Sequence, residues 1–466
     1  MDIQFGTEGW RGQIADTFTT GNLRLVCQAI ADELHAKQVQ ESGVVVGYDT
    51  RFLSDVFARE CAQVLAANSI PVYLFDSVTP TPLLSFAVRH LGAAGGLMIT
   101  ASHNPAVWNG VKWKGPHAGP ANEEEIAQIA ARLGKTAAKS IPFDSAKRLG
   151  MIELINLDQP YFDQLLRFLS PTLDRELRLH VVVDAMHGAA GAYFSRALEA
   201  LGCQVTQVRS DPDPTFGGVN PEPIPKNLGV LMEKVLEVGA DLGLATDGDG
   251  DRLGAVDAQG NYVSPQILFA LLTLHLLRDR KWSGSVVKTF STTWLIDRIA
   301  DLYEVQMHEV PIGFKHICGL MQAEDVLIGG EESGGIGIPL HMPERDGIFS
   351  GMLLIEHLLL SGQQLSDAID QLMFLAGYHA YDRIDLPLAQ AKKESLFRSL
   401  VQQPITFAGD QIEEVQTLDG VKYKLSDGRW ILFRASGTEP LLRIYAEARE
   451  SEDVSRLIAA AKRLVD

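Results

Sequence analysis

Cysteine is scarce in this chain and unpatterned. Cys27, Cys61, Cys203 and Cys318 are the only four in 466 residues, and no Cys-x-x-Cys pair occurs. That excludes a disulfide scaffold and a thiolate zinc site, and reads as reduced core thiols in a cytoplasmic protein. No window holds the roughly 20 consecutive apolar residues that cross a bilayer, so no membrane contact is expected. Positive charge is also short. The formal net charge is −18, and binding a phosphate backbone takes a basic field, so nucleic acid is not an expected partner. Small anions stay within reach, because local Arg, Lys and backbone N–H clusters hold them inside acidic proteins. The opening segment, with Asp2 and Glu8, reads as neither a signal nor a transit peptide. Gly134-Lys-Thr136 has Ile129 five residues ahead of its glycine, so it is not a P-loop.

A chain of this length exceeds one core and suggests three or four domains. One pattern occurs three times. Gly43-Val-Val-Val-Gly-Tyr-Asp49 predicts a strand, followed by a helix over 54–68 and a strand over 72–75. The strand at 177–184 is followed by a helix over 189–201 and a strand over 204–208. The strand at 284–289 is followed by a helix over 293–303 and a strand over 305–310. Strand, helix, strand at this spacing builds a mainly parallel sheet with helices on its faces, so three related α/β domains are expected. Beyond 372 the pattern changes to strands at 378–386, 421–425, 430–433 and 442–447, with helices near 389–402 and 453–464, a smaller α+β domain. The boundaries drawn from this are 1–150, 151–256, 257–372 and 373–466, with 148–159 read as a linker.

Four stretches carry chemistry. Thr100-Ala-Ser102-His103-Asn-Pro105 leaves the apolar run 93–99 and should place Ser102 at a strand exit, although a lone serine there is an ordinary turn residue. Asp247-Gly-Asp249-Gly-Asp251-Arg252 follows the strand 241–245 and aims three carboxylates at one point. They repel strongly unless a cation neutralises them, and hard oxygen donors favour Mg²⁺, Mn²⁺ or Ca²⁺ over zinc. An EF-hand fails, because its sixth-position glycine is Arg252 and its twelfth-position glutamate is Ala258. Gly329-Gly-Glu331-Glu-Ser333-Gly-Gly335 sets two acids and a hydroxyl on a flexible frame suited to sugar hydroxyls, or is a plain turn. Arg434-Ala-Ser436-Gly437-Thr438-Glu-Pro440, with Arg443 beyond, offers guanidinium forks, hydroxyls and main-chain N–H groups to a phosphate dianion. Phe5-Gly-Thr-Glu-Gly-Trp-Arg11-Gly12 opens the chain with glycines around one arginine.

Together these four loops resemble the α-D-phosphohexomutase superfamily, the phosphoglucomutases and phosphomannomutases, in the family's order and over essentially the whole chain. The resemblance implies four domains around a central cleft, three of them sharing one fold. It implies a phosphoryl group on Ser102, and one Mg²⁺ held by Asp247, Asp249 and Asp251 with the serine phosphate. Glu331 and Ser333 would grip sugar hydroxyls, and Arg434, Ser436, Gly437, Thr438 and Arg443 the phosphate that is not transferred. The family's opening arginine corresponds to Arg11 and its two lysines to Lys112 and Lys315. One departure stands out: some members carry a histidine after the Ser-Gly of the sugar loop, where this chain has Gly335. If that histidine moves a proton in those enzymes, His103 or Lys112 are the candidates here.

The implied reaction interconverts hexose 1-phosphate and hexose 6-phosphate through a phosphoserine and a bound 1,6-bisphosphate, with glucose 1,6-bisphosphate as primer. Arg11, Lys112 and Arg252 would balance the negative charge. The Glu-Glu form of the sugar loop favours glucose, then mannose or dual specificity, then glucosamine. The alternatives of other classes are a metal-dependent sugar-phosphate phosphatase and a non-catalytic sensor. Sugar phosphates are the expected partners, and oligomeric state is not legible.

Overall fold

Val44–Tyr48, His180–Asp184 and Ser285–Thr289 are short, mostly β-branched runs, covered on both faces as strands inside a parallel sheet must be. A computed structural model describes residues 3–6, 8–171, 173, 178–388, 390–402, 406–435 and 441–465, and builds each of these runs into a sheet of one design. The first sheet runs Gly9–Gln13, Trp108–Lys114, Gly95–Ile99, Val44–Tyr48, Val72–Phe75, Ile152–Ile155. Its last four strands are parallel, and Trp108–Lys114 is antiparallel to both its neighbours. The second sheet runs Tyr262–Val263, Leu253–Asp257, Leu242–Thr246, His180–Asp184, Gln204–Val208. The third runs Met342–Arg345, Ile336–Ile338, Val326–Gly330, Ser285–Thr289, Met307–Val310. The second to fifth strands follow the same order in all three.

Alternation along the strands makes each sheet the middle of a sandwich. Val44 and Val46 join the apolar cluster beneath helices Thr20–Ala36 and Ser54–Ala67, whereas Val45 joins the cluster on the other face. That second cluster does not stop at the edge of its domain. It continues through Tyr161, Phe194, Phe269, Leu353 and Leu372, so the first three domains share one core. The helix Gly347–Ser361 is buried on nearly every side and lies inside this core, its run of apolar residues broken by Glu356 and His357.

The fourth sheet is wholly antiparallel: Ala380–Pro387, Leu441–Ala448, Trp430–Ala435, Val421–Leu425, Asp410–Gln416, Thr406–Phe407. Its core, with Tyr423, Phe433, Ile444 and Leu457, is separate from the others. The joint to the third domain centres on buried Glu447. Its carboxylate accepts from Thr293 Oγ1, from Trp294 N–H at 3.0 Å and from Trp430 Nε1, and pairs with His379 Nδ1.

The differences from expectation lie in short edge strands. The stretch read as a linker holds Ile152–Ile155, which pairs with Val72–Phe75, and Tyr262–Val263 pairs with Leu253–Asp257. The first sheet therefore passes residue 150 and the second passes 256. Asp410–Gln416 is largely solvent-facing and polar, so no alternation betrays it. All four cysteines are free and buried. Among the described residues no helix is long and apolar enough to cross a membrane.

Lys422 crosses the same joint as Glu447. Its ammonium donates to Phe290 C=O at 2.8 Å and Glu309 Oε1 at 3.0 Å, and lies over the Phe290 and Trp430 rings. Burial, aided by nearby Lys288, lowers its pKa from 10.5 to about 8. The folded chain therefore gives up this proton before the unfolded chain does, and stability gains as pH rises from about 8 to about 10.5. Lys422→Met removes that term. Urea melts at pH 8 and pH 10.5 should show wild type gaining on the variant by on the order of 2–3 kcal/mol. A pH-independent difference would refute the buried-ammonium assignment.

Candidate active site

The three chemical loops of the first three domains occupy one topological position. Each leaves the third parallel strand of its unit and returns through an antiparallel neighbour. Residues 100–107 link Gly95–Ile99 to Trp108–Lys114. Residues 247–252 link Leu242–Thr246 to Leu253–Asp257, and 331–335 link Val326–Gly330 to Ile336–Ile338. Strand ends on a rigid sheet hold such loops in place.

Ser102 is buried and has φ 51°, a left-handed backbone that a non-glycine residue adopts at a cost of about 1–2 kcal/mol. Fixed partners maintain it. Thr100 Oγ1 accepts the Ser102 N–H at 2.8 Å. The Arg51 guanidinium donates to the carbonyls of Ser102 (2.5 Å), Asn104 (2.7 Å), Pro105 (2.9 Å) and Trp108 (3.0 Å), and is itself paired with Asp49 at 3.2 Å. The second loop approaches so closely that a Cβ on Gly248 would sit 2.6 Å from the Ser102 carbonyl oxygen. That contact brings Ser102 Oγ to 2.7 Å from Asp247 Oδ2, across 145 residues of chain.

The aspartates converge as their spacing implies. One oxygen from each of Asp247, Asp249 and Asp251 lies within 4.8 Å of the others, and all three residues are buried. Asp247 Oδ1 accepts the N–H groups of Asp251 and Arg252 at 3.1 and 3.2 Å. Asp249 Oδ2 accepts Thr81 Oγ1 at 2.5 Å and Lys112 Nζ at 2.6 Å, while Asp251 Oδ2 pairs with Lys112 at 3.1 Å and Arg345 at 2.9 Å. Burial alone would raise all three acids. For Asp251 the cations Arg345, Lys112 and Arg252 outweigh it and hold the group well below the carboxylate range, and Lys112 does the same for Asp249. Asp247 goes up, through burial and its two acidic neighbours. Asp249 Oδ1 and Asp251 Oδ1 are buried without a hydrogen-bond partner. Buried, unpartnered carboxylate oxygens beside a third carboxylate are the donor set a hard divalent cation takes, so the residues fit Mg²⁺.

Lys112 keeps its charge, since Asp249, Asp251 and Glu8 overcome the cost of burial and raise its pKa. His103 Nδ1 lies 3.4 Å from Ser102 Oγ, and burial with nearby Arg252 and Arg11 lowers its pKa well below that of a free imidazole. Arg252 Nε stands 3.9 Å from Asp247. Arg11, opposite Gly110 on the neighbouring strand, donates to Asn104 Oδ1 at 2.7 Å.

Glu331 is buried, and burial raises its pKa to about 7. Ser333 is half-buried on the same loop. Arg434 and Arg443 are directly opposed across Trp430–Ala435 and Leu441–Ala448, a like-charge pair that a sheet tolerates poorly without anions. Asp419 meets Arg434 at 3.0 Å and Asp385 meets Arg443 at 3.8 Å. Ser436, Gly437 and Thr438 lie outside the described residues. The Lys315 ammonium is paired with exposed Glu123 at 2.7 Å.

Two arginines escaped the sequence reading. Arg345, at the end of Met342–Arg345, meets Glu8 (2.7 Å), Asp251 (2.9 Å) and Glu331 (3.4 Å), and so ties the opening segment to the loops at 247–252 and 331–335. Its Pro-Glu-Arg-Asp setting has no glycine frame to mark it. Arg51 stands two residues past Asp49, just beyond the strand Val44–Tyr48, in a setting with no motif to mark it.

Comparison with known proteins agrees along the chain. Residues 2–140, 159–260 and 264–375 match the α/β/α domains I, II and III of phosphoglucomutase/phosphomannomutase, and 396–464 match its C-terminal domain. A Thermococcus kodakarensis phosphoglucomutase/phosphomannomutase is 31% identical over 100% of this chain and 99% of its own. A Desulforamulus reducens phosphoglucosamine mutase is 29% identical over 97% of each. A crystal structure from Thermus thermophilus, of a protein provisionally named phosphomannomutase, superposes with TM-score 0.88 at 39% identity, covering 100% of this chain and 99% of that one. The four loops in their order, and the convergence of the first three, thus accompany full-length similarity, and the chain belongs to the phosphoglucomutase/phosphomannomutase family of the α-D-phosphohexomutase superfamily, whose members are phosphotransferring mutases.

Proposed function

We propose that this enzyme interconverts glucose 1-phosphate and glucose 6-phosphate through a phosphoserine at Ser102. The observation that carries the reading is the contact of Ser102 Oγ with Asp247 Oδ2 inside a buried aspartate trio that still has unpartnered oxygens. Asp247, Asp249 and Asp251, with the Ser102 phosphate, would hold Mg²⁺, which draws negative charge off the transferring phosphoryl group.

Protein side chains supply the rest. The bond from phosphorus to Ser102 Oγ breaks as a bond forms to the free hydroxyl oxygen of a bound hexose monophosphate, and that hydroxyl's proton passes to a base. His103 is the base, because its lowered pKa leaves it neutral near Ser102 Oγ. Lys112 is not, because its raised pKa keeps it an ammonium; it stabilises charge together with Arg11 and Arg252. Glu331 and Ser333 grip sugar hydroxyls. Arg434 and Arg443, with Ser436, Gly437, Thr438 and Lys315, hold the phosphate that stays. The bisphosphate then turns end for end and returns its other phosphoryl group to Ser102 Oγ. Glucose is preferred over glucosamine because Glu332 stands where glucosamine enzymes often carry Gln, and mannose ranks second.

Ser102→Ala should lower mutase turnover by at least about 10³-fold with an unchanged melting temperature. Near-normal rates would remove the covalent carrier, and phosphate release without isomerisation in the wild type would point to a phosphatase. Arg434→Ala should raise KM by about 10- to 100-fold with a smaller change in kcat, as expected for a charge-assisted phosphate contact; an unchanged KM discards the cradle. Assays with glucose, mannose and glucosamine 1-phosphates, given Mg²⁺ and a bisphosphate primer, should rank kcat/KM in that order. Glucosamine in first place would overturn the sugar assignment.

A further inference from the structure

A second cluster of ligating side chains lies in the third domain, among residues given no part in the mutase reaction. The helix Pro265–Leu274 runs into a π-helical turn, His275–Asp279, closed by the Arg280 N–H on the His275 carbonyl at 3.0 Å. Such turns are rare and are found mostly where side chains must be placed for a purpose. This one packs on Gly347–Ser361, which presents Glu356 and His357. Asp279 Oδ2 lies 3.0 Å from His275 Nδ1 and 2.9 Å from His357 Nδ1, and the three atoms are mutually within 4.8 Å. The side chains of His275 and His357 are 0% and 1% exposed, while that of Asp279 is 19% exposed.

The hydrogen bonds around the cluster fix which imidazole nitrogen faces it. His275 Nε2 lies 3.0 Å from Glu356 Oε1. Glu356 also accepts the Ser170 N–H on Oε2 at 2.8 Å and Arg280 on Oε1 at 2.7 Å. Both oxygens of that carboxylate accept, so His275 Nε2 donates there and Nδ1 is the nitrogen turned toward Asp279. Nδ1 and the Asp279 carboxylate, 3.0 Å apart in a buried site, meet through a shared cation. A bound proton is one solution. The donor set suggests another, because two imidazole nitrogens and one carboxylate oxygen are zinc ligands, and a tetrahedron of zinc bonds has edges of about 3.3 Å. The surroundings suit it too. Glu356 orients His275 as a carboxylate behind a metal-binding histidine does, and Arg278 Nε at 2.7 Å fixes the second oxygen of Asp279. The exposed side of Asp279 leaves an entry path and room for water as a fourth ligand.

The geometry points to a Zn²⁺ site formed by His275 Nδ1, His357 Nδ1 and Asp279 Oδ2, separate from the all-oxygen trio that suits Mg²⁺. The site ties the turn after Pro265–Leu274 to the central helix of the shared core.

The test uses the full-length enzyme in excess Mg²⁺, so that the aspartate trio is occupied, with Co²⁺ as the optical probe and Zn²⁺ as competitor. One equivalent of Co²⁺ should give intense visible absorption of a tetrahedral, nitrogen-ligated ion, abolished by one equivalent of Zn²⁺. His357→Gln should weaken Zn²⁺ binding by about 100-fold or more while leaving Mg²⁺-supported mutase activity unchanged, and Asp249→Asn should leave the Co²⁺ spectrum intact. Absence of the band in folded wild type, which leaves a proton as the occupant, overturns the site. So does a band lost in Asp249→Asn and kept in His357→Gln. If His357→Gln does not fold, the wild-type and Asp249→Asn spectra still decide the matter.

Discussion

Mutual repulsion of three buried aspartates is the constraint around which this molecule is arranged. Two unit charges a few ångströms apart and away from water repel by several kcal/mol, so Asp247, Asp249 and Asp251 persist together only among cations supplied from elsewhere. Those cations come from distant parts of the chain. Lys112 belongs to the first sheet and Arg345 to the third, and both reach the loop of the second. The charge centre is therefore also the point at which three domains are keyed to each other.

A shared interior makes that keying rigid. One apolar cluster runs from Val45 to Met373 through all three α/β domains, so their loops cannot drift apart without opening the core. The fourth domain differs: it owns its core and meets the third through a polar hub at Glu447 and a small apolar cluster of Phe290, Trp430, Leu432 and Tyr445. A joint of that kind, outside the shared core, leaves this domain the freer to adjust.

Much of this was legible in the sequence because the central parallel strands and the chemical loops each carry a local signal. Val44–Tyr48 is a β-branched run, and Asp247 to Asp251 alternate with glycine in a way few other jobs require. What escaped shows the limit of local signals. Gly347–Ser361 has apolar residues on every side and so no helical stripe, although it is the central helix. Ile152–Ile155 and Tyr262–Val263 are too short to show a period. Arg345 owes its position to three partners hundreds of residues apart in some cases, and nothing in its immediate neighbours encodes them. Lys315 carries the opposite lesson, since a residue placed by resemblance is held in this conformation by an acid, Glu123, that no motif includes.

The opposed arginines of the fourth sheet have a consequence for how firmly any dianion can be held there. Asp419 and Asp385 already pair with the guanidiniums, so any dianion drawn to them would compete with internal rivals that never diffuse away. Such tethered competitors cap the attainable affinity and quicken departure. An anion site built on that plan would favour repeated exchange over retention.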